Sequence, residues 1–583
     1  MSTGPMVPQG HPEPLRWQDL AWLLLALAVL VASGLGLRDP WPADEPRFAV
    51  VARDMVASGD WLFPRVGGDL YQDKPPLYMW LIAAVLSVTG SMRVAFLLPS
   101  LLAAGGVLLL AYDLARHLAG RAAALAAALT LACTLQFVMV TRGAQIDATV
   151  CFLITLGVYG LARHLLLGPA WGWYFVGGVA SGLGVITKGV GFLPLLILIP
   201  WAAMRRRGWQ GLATIPPSGA RWVLAPLGFL AAIALWLVPM LLAVMYRGSP
   251  EYAAYRDEIL FHQTVTRYAA AWHHVKAWYY YLVEVIPVLW LPWPVLAFWL
   301  VPRWRDAWRA RDARVWLLLA WVVLVLLFFT MSPGKRGVYV LPALPALAVA
   351  AAGALPAVYA RRGIALTGLV GAGVLALVFA AFALAEYLEV PGVIGMLAEE
   401  GLPGDLPVAA VAAACVGGWL VAAWWRPRLA WPFVLGALAL SFSWAIEPRI
   451  DPVRSGSAFT RRVLAAVPRD HELGLVAYKE QFLLYLDRPT VNFGHRRWRT
   501  DDDEVADAAR WLASAPNRVL LVPDTMLAPC FAGASVRPAG RSAGETWSLV
   551  AGTPDTACVA RGDARRVIRY AAPKYVASAP TQP

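Results

Sequence analysis

Two short charged motifs follow the first apolar run of the sequence and contain the residue types that a transfer reaction on a phosphate ester requires. In the first motif Asp44 and Glu45 are adjacent and Arg47 lies two positions later; in the second, Asp73 and Lys74 precede two prolines that fix the backbone. A carboxylate can orient or deprotonate an attacking hydroxyl group, and a cationic side chain can bind a phosphate. The motifs therefore predict a site for an anionic substrate, although solvated loop charges or a lysine at lipid headgroups would give the same pattern.

Further charged residues lie between later apolar runs. Asp147 begins one such run, where it could cap a helix as well as act in a reaction. Lys188 lies in a Thr-Lys-Gly turn, and Lys335 and Arg336 follow the apolar run near 315–331. The residues predicted to act in catalysis are therefore Asp44, Glu45 and Asp147, and those predicted to bind a phosphate are Arg47, Lys74, Lys188, Arg267, Lys335 and Arg336.

The stretch 247–280 is irregular and holds several titratable side chains, among them His262, Arg267, His273 and His274. Histidines there could ligate a metal ion or orient a second substrate, but their spacing matches no defined zinc pattern. We therefore expect that no cofactor is required, and a divalent cation stays open as an alternative.

The composition places these residues in a membrane protein. Of the 583 residues, 59% are hydrophobic and 15% are charged, whereas soluble proteins carry about 25% charged residues. The balance excludes an ordinary soluble enzyme and a disordered chain. Thirteen apolar runs are of a length suited to a bilayer core of about 30 Å, and they lie near residues 20–37, 94–112, 122–140, 148–162, 173–187, 189–204, 222–245, 282–301, 315–331, 337–357, 364–385, 407–425 and 429–446.

The positions of the basic residues predict the orientation. Short arginine-rich turns alternate along the chain, as a shared cytoplasmic side requires, and this also accounts for the formal charge of +13. The N-terminus is then cytoplasmic, and the loops 38–93 and 247–280 are periplasmic. The loop 38–93 is nevertheless rich in cations, although the rule that keeps basic residues on the cytoplasmic side would disfavour them there. Their presence favours binding of an anion.

The composition changes after residue 446, which predicts a membrane domain over 1–446 and a soluble periplasmic α/β domain over 447–583. Short strands are predicted near 473–478, 490–493 and 519–522, and an amphipathic helix over 504–513. The two cysteines of this domain, Cys530 and Cys558, could pair in an oxidising compartment or stay as free thiols. The predicted fold class is thus an all-α polytopic membrane protein with a C-terminal soluble α/β domain.

Three segments of the first loop resemble a known signature in their order and spacing: Asp-Glu-Pro-Arg-Phe at 44–48, Ala-Ser-Gly-Asp-Trp-Leu-Phe-Pro-Arg at 57–65 and Asp-Lys-Pro-Pro-Leu at 73–77. They are similar to the first loop of the GT-C glycosyltransferases of the aminoarabinose (lipid A) transferase and protein mannosyltransferase-like family. Weaker matches at 146–147, 187–189, 278–281, 291–293 and 335–342 extend the resemblance over roughly residues 15–360.

The resemblance implies a bundle of about thirteen helices in the bacterial inner membrane, which transfers a sugar from a polyprenyl-phosphate donor to lipid A or another envelope acceptor. The sugar would be 4-amino-4-deoxy-L-arabinose or a hexose. Asp44 would take the catalytic position with Glu45 beside it, Lys74 and Arg47 would contact the donor phosphate, and Asp147 would support the acceptor side. Asp73 and His262 resemble positions at which some members hold a divalent cation.

The chain departs from this pattern on the substrate side. Lys335 is followed by Arg336, Gly337 and Val338 where the family more often has a lysine, leucine and proline. The loop between His262 and Arg267 is longer by about two residues. These differences leave the acceptor open. A flippase for polyprenyl-linked sugars, a protein O-mannosyltransferase and a non-catalytic envelope scaffold remain as alternatives, and no nucleic-acid partner is expected.

Overall fold

A computed structural model describes residues 14–216, 219–260, 275–402, 404, 406–495 and 503–573. Helices dominate residues 14–466. Up to residue 309 they are Trp17–Leu30, Glu45–Ser58, Leu77–Thr89, Met92–Ala95, Leu98–Ala119, Arg121–Ala132, Leu135–Thr141, Ile146–Ala162, Trp171–Lys188, Leu198–Arg206, Leu224–Arg247, Pro250–Asp257, Ile286–Leu289 and Trp293–Arg309. Beyond it they are Ala313–Met331, Ala343–Ala351, Leu355–Tyr359, Arg362–Tyr387, Pro391–Glu399, Leu406–Trp425, Ala430–Ser441, Glu447–Arg454 and Ser457–Ala466.

Many of these helices are suited to crossing a membrane. Within the described residues, seven are long and apolar enough, and two bent helix pairs raise the number to nine. The helices Trp17–Leu30 and Leu77–Thr89 and the stretch Ala343–Tyr359 are apolar but shorter. The chain is therefore an integral membrane protein, while the number of thirteen crossings stays a prediction.

Two of the predicted runs are broken by sharp bends. The run 122–140 forms the helices Arg121–Ala132 and Leu135–Thr141, which meet at 63°, and the run 282–301 forms two segments that meet at 102°. The predicted turn after Lys188 is confirmed, because Gly189 there has a φ of +75°. The bend brings Gly191 against the backbone of Gly184, so closely that a side chain at position 191 would overlap Val185.

The loop 38–93 contains more regular structure than the sequence predicted. It forms the helix Glu45–Ser58, a hairpin of the strands β1 (Arg65–Val66) and β2 (Asp69–Leu70), and the apolar helix Leu77–Thr89. The last of these was not among the predicted apolar runs. Its thirteen residues begin only two prolines after the charged Asp73-Lys74 motif, which made the whole segment resemble a loop.

A six-stranded sheet forms the C-terminal part of the chain. Its strands are β3 (Glu472–Leu475), β4 (Thr490–Asn492), β5 (Arg518–Pro523), β6 (Ser535–Ser542), β7 (Glu545–Ala551) and β8 (Ile568–Tyr570), in the order β6-β7-β5-β3-β4-β8. Strand β3 pairs in parallel with β4 and β5, and the other pairs are antiparallel. The short helices Glu480–Leu483 and Thr556–Arg561 and the longer helix Glu504–Ala513 belong to the same part of the chain.

The predicted α/β character of this part is confirmed. The strands expected near 473–478, 490–493 and 519–522 correspond to β3, β4 and β5, and the helix Glu504–Ala513 has the predicted bounds. Strands β6 to β8 were not predicted; β6 is exposed along nearly its whole length, so it shows no alternation of apolar and polar residues. Cys530 and Cys558 form a disulfide, which selects one of the two alternatives left by the sequence.

The β1–β2 hairpin joins the membrane domain to the sheet domain. Its turn residues Gly67 and Gly68 have φ values of +60° and +96°, which favour glycine. The carbonyl of Gly67 accepts a hydrogen bond of 2.8 Å from the Asn492 amide. A side chain at position 67 would come within 2.5 Å of the Tyr478 hydroxyl oxygen. The hairpin therefore requires glycine both for its backbone and for its contact.

We expect Gly67→Ala to weaken the contact between the two domains. The substitution combines a strained backbone with overlap at Tyr478, so a loss of roughly 2–4 kcal/mol is expected. Thermal unfolding and limited proteolysis of the purified full chain would measure this loss. Gly90→Ala is the matched control, because Gly90 also has a positive φ but has open space around its Cα. Equal effects of the two substitutions would contradict the contact argument.

Candidate active site

Asp44 lies between two arginines at the start of the helix Glu45–Ser58. Its carboxylate oxygens are 3.1 Å from a guanidinium nitrogen of Arg47 and 3.6 Å from one of Arg336. The Asp44 side chain is 28% exposed and that of Arg336 is 38% exposed, so this pair is accessible. Asp44 makes no side-chain hydrogen bond to the helix start. Its carboxylate is therefore held by charge and not by a capping role.

The sheet domain contributes a second carboxylate, Glu480, to the same cluster. Its Oε1 atom is 2.7 Å from Nε of Arg47 and 3.0 Å from Nε2 of His495. Burial would raise the pKa of Glu480, but the hydrogen bond with His495 and the charge of Arg47 outweigh it and lower that pKa to about 2. Glu480 is consequently ionised at neutral pH and fixes the direction of the Arg47 guanidinium.

Glu45 is used differently from its neighbour. Its carboxylate is buried, pairs with both terminal nitrogens of Arg38, and accepts hydrogen bonds of 2.8 Å from the backbone N–H groups of Trp41 and Ala144. The Arg38 guanidinium also lies over the Trp41 ring. Glu45 thus joins the turn before Asp44 to the loop at Ala144, which is a positioning arrangement. The sequence predicted a catalytic role for it, and that prediction is not tested by its contacts.

Asp147 and Lys188 contact each other. The ammonium of Lys188 is 2.5 Å from a carboxylate oxygen of Asp147, and both side chains are about nine-tenths buried. Lys188 also lies 4.6 Å from the centre of the Tyr339 ring. Because Tyr339 is three residues from Arg336, this pair supports the segment that carries one of the two arginines around Asp44.

The remaining predicted cations point to backbone carbonyls. Lys74 donates to the carbonyl of Asp73. Lys335 is buried and donates to the carbonyls of Ser332 and Lys276, at 2.7 and 3.1 Å. Burial lowers the pKa of Lys335. Lys335 therefore ties two loop segments together, and its neighbour Arg336 is the one that approaches Asp44.

His262 and Arg267 lie outside the described residues, so the structure gives no position for either. The described part of the chain contains no group of three or more histidine, cysteine, aspartate or glutamate side chains that could hold a metal ion. Whether Asp73 and His262 bind a divalent cation stays a prediction.

Sequence reasoning missed Glu480 and His495. Glu480 and its neighbour Lys479 are the two charged residues of the otherwise largely apolar stretch from Leu473 to Leu486, and a charge in such a stretch is a signal of a buried partner. The partner itself is 433 positions away. No local pattern indicates a contact over that separation.

A second polar contact holds the first loop against the sheet domain. The Tyr570 hydroxyl donates a hydrogen bond that both Asp54 carboxylate oxygens share, at 2.9 and 3.0 Å, and Arg53 donates to the Leu483 carbonyl at 3.0 Å. Burial raises the pKa of Asp54 to about 6, although Arg53 and Tyr570 oppose this shift. The contact therefore contains a carboxyl group with a pKa well above its ordinary value.

We expect Asp54 to make the stability pH-dependent. Its folded-state pKa of about 6 exceeds the ordinary 3.8, so the folded protein keeps a proton that the unfolded chain releases. Stability is then highest below the ordinary pKa and falls as the pH rises through 6, by up to about 3 kcal/mol at pH 7. Thermal unfolding of wild type and of Asp54→Asn between about pH 4 and pH 7 measures how the difference in stability between the two proteins changes with pH. Other titrating groups contribute equally to both proteins and cancel in this difference. Parallel curves for the two proteins would contradict the assignment.

Comparisons with known proteins identify the family. The family model described as dolichyl-phosphate-mannose-protein mannosyltransferase matches residues 73–246. An undecaprenyl phosphate-alpha-4-amino-4-deoxy-L-arabinose arabinosyl transferase from Pseudomonas savastanoi is 31% identical over 430 residues, which are 70% of this chain and 77% of that protein. A transferase of the same name from Pseudomonas aeruginosa is 32% identical over 57% of this chain and 59% of that protein.

The fold agrees with these matches. The crystal structure of ArnT from Cupriavidus metallidurans bound to undecaprenyl phosphate superposes with a TM-score of 0.68, at 20% identity, over 92% of this chain and 99% of that chain. The chain belongs to the aminoarabinose transferase family of GT-C membrane glycosyltransferases. The resemblance seen in the first-loop motifs is thereby confirmed, and the protein is a glycosyltransferase.

Proposed function

We propose that this enzyme transfers a sugar from a polyprenyl-phosphate donor to an acceptor of the bacterial envelope at the Asp44 site. The observation that carries the proposal is the accessible Asp44 carboxylate between the guanidinium groups of Arg47 and Arg336. Such a site offers cations for a phosphate and a carboxylate for a hydroxyl group within one small volume. The names of the relatives favour undecaprenyl phosphate as the carrier and 4-amino-4-deoxy-L-arabinose as the sugar.

The donor phosphate competes with Asp44 for the two arginines. Before the donor binds, both guanidinium groups neutralise the Asp44 carboxylate. A phosphate ester presents oxygens that match the planar fork of an arginine, so binding draws Arg47 and Arg336 toward the donor. The carboxylate of Asp44 is then available to accept a hydrogen bond from the acceptor hydroxyl.

The transfer itself exchanges one bond for another at the anomeric carbon. The acceptor oxygen forms a bond to that carbon while the bond from the carbon to the phosphate oxygen breaks. Polyprenyl phosphate leaves, its charge stabilised by the arginines, and the hydroxyl proton passes to Asp44. Further candidates for donor contacts are Lys74, Lys188, Lys335 and the undescribed Arg267. Glu45 is a candidate for catalysis beside Asp44 and Asp147 for support of the acceptor, and Asp73 with His262 for a divalent cation.

The arrangement of the chain in the membrane completes the proposal. We propose about thirteen crossings of the bacterial inner membrane, a membrane domain over 1–446 and a sheet domain over 447–583. Both Asp44 and the sheet domain then lie in the periplasm. The contact between Glu480 and Arg47 supports this arrangement, because it requires the loop that carries Arg47 and the sheet domain to be on the same side of the membrane.

The test compares the envelope lipids and glycans of a deletion strain with those of strains that express wild type or Asp44→Asn. Mass spectrometry should show a sugar-sized mass that returns with wild type alone, and its carrier identifies the acceptor. A mass on lipid A would support the acceptor suggested by the family, and a mass on protein would favour O-glycosylation. Normal modification by Asp44→Asn, or no change in any fraction despite expression of wild type, would contradict the proposal.

A further inference from the structure

Five arginines form a basic surface on one side of the sheet domain, named here the arginine patch: Arg454, Arg461, Arg462, Arg537 and Arg541. Arg537 on β6 donates to the carbonyl of Ala466, which ends the helix that carries Arg461 and Arg462. A Cβ atom on Gly540, the neighbour of Arg541, would lie 3.8 Å from the Arg462 guanidinium. The patch is therefore continuous from the helices after the last apolar run to the edge strand β6.

The helix Pro391–Glu399 fixes the position of the patch relative to the membrane. It lies between two helices suited to span the bilayer, Arg362–Tyr387 and Leu406–Trp425. Ile394 and Met396 expose 39% and 45% of their surface, while Leu397 is buried against the protein. A short helix that joins two spans and exposes apolar side chains is suited to the plane of the lipid headgroups, and Pro391–Glu399 is therefore called the headgroup helix here.

Two arginines of the patch are paired with the end of this helix. Arg541 is 2.6 Å from Glu399, and Arg454 is 2.6 Å from Glu400. Both ion pairs join the sheet domain to the headgroup helix. The patch is thereby held beside the headgroup helix, which is where lipid phosphates are expected.

The other arginines leave the patch with a positive charge. Among the described residues, no carboxylate lies within 4.0 Å of Arg461 or Arg462, and both are exposed. Arg537 is exposed as well and donates to a carbonyl, not to a carboxylate. The patch lies on the same side as Asp44, so the rule that retains arginines in cytoplasmic loops does not explain it.

We propose that the arginine patch binds the phosphate groups of anionic lipids in the membrane leaflet on the same side as Asp44. Guanidinium groups pair with phosphate oxygens through two parallel hydrogen bonds, and basic residues next to an anionic surface each add to the attraction. The bound lipids fix the sheet domain against the membrane. This inference goes beyond sugar transfer and does not depend on it.

The test measures lipid binding to the purified full chain in neutral detergent without any donor. Native mass spectrometry counts bound phosphatidylglycerol and, separately, phosphatidylcholine with the same acyl chains. The variant is Arg461→Gln/Arg462→Gln. The control, Arg565→Gln/Arg569→Gln, removes two exposed arginines of the same domain near β8, at the opposite edge of the sheet from β6. A further arm adds inorganic phosphate at the same concentration as the lipid.

We expect wild type and the control to bind phosphatidylglycerol equally and in preference to phosphatidylcholine, and the patch variant to bind it roughly 10- to 30-fold more weakly. Inorganic phosphate should leave lipid binding unchanged. Unaltered binding by the patch variant, or an equal loss in the control, would overturn the proposal. Displacement of the lipid by inorganic phosphate would assign the patch to a free anion instead. Because no sugar is transferred in this assay, its failure is distinguishable from failure of the proposed function.

Discussion

Asp44→Asn should reduce the rate of sugar transfer by roughly 10²- to 10⁴-fold, the range associated with loss of a general base. The asparagine keeps the shape of the side chain but cannot accept the hydroxyl proton. Donor affinity should be unchanged or higher, because the substitution removes the carboxylate that competes with the phosphate for Arg47 and Arg336. Steady-state kinetics with a polyprenyl-phosphate sugar, together with direct measurement of polyprenyl-phosphate binding, would separate these two effects.

A matched control for this substitution is Asp306→Asn. Asp306 lies in the helix Trp293–Arg309 and pairs with its exposed neighbour Arg309, so the same change of charge is made away from the candidate site residues. The fold should survive at position 44 as well, since Asp44 makes no capping hydrogen bond. More than a tenth of wild-type activity in Asp44→Asn, with the control unaffected, would exclude Asp44 as the base.

The sequence was informative where function depends on residues close together in the chain. Asp44 and Arg47 are three positions apart on one helix turn, and the structure pairs them. The helix Glu504–Ala513 and the strands β3 to β5 were likewise predictable, because alternation and periodicity of apolar residues are local properties. The edge strand β6 has no such pattern, since both its faces are largely exposed.

The limits of prediction appear where two neighbouring residues of the same type take different roles. Asp44 and Glu45 are both acidic, yet the start of the helix directs Glu45 into a buried pair with Arg38 and leaves Asp44 accessible. Lys335 and Arg336 separate in the same way, since Lys335 donates to two backbone carbonyls and Arg336 approaches Asp44. Composition and spacing cannot show which way each side chain points, because the packing of distant segments decides it.

Arg47→Ala should show whether Arg47 acts on the donor or only holds the two domains together. The substitution removes a cation from the site and leaves Glu480 buried beside His495 without its arginine partner. Loss of one member of a buried ion pair costs roughly 3–5 kcal/mol of stability, so Arg47→Ala should unfold at a lower temperature. It should also lower kcat/KM for the donor by about 100-fold or more, if a charge-assisted contact to phosphate worth about 3 kcal/mol is lost.

The double variant Arg47→Met/Glu480→Gln separates these two effects. It removes both charges while keeping similar side-chain volumes, so no uncompensated charge stays buried, and replacement of a buried pair in this way is often neutral for stability. Thermal unfolding should therefore return toward the wild-type temperature, whereas donor kinetics should stay as poor as in Arg47→Ala. Recovery of transfer together with stability would show that Arg47 serves the contact with the sheet domain and does not bind the donor. If the double variant stays unstable but transfers sugar at the wild-type rate, both assigned roles are contradicted. The buried charge of Glu480 would then not explain the instability, and Arg47 would not be needed for use of the donor.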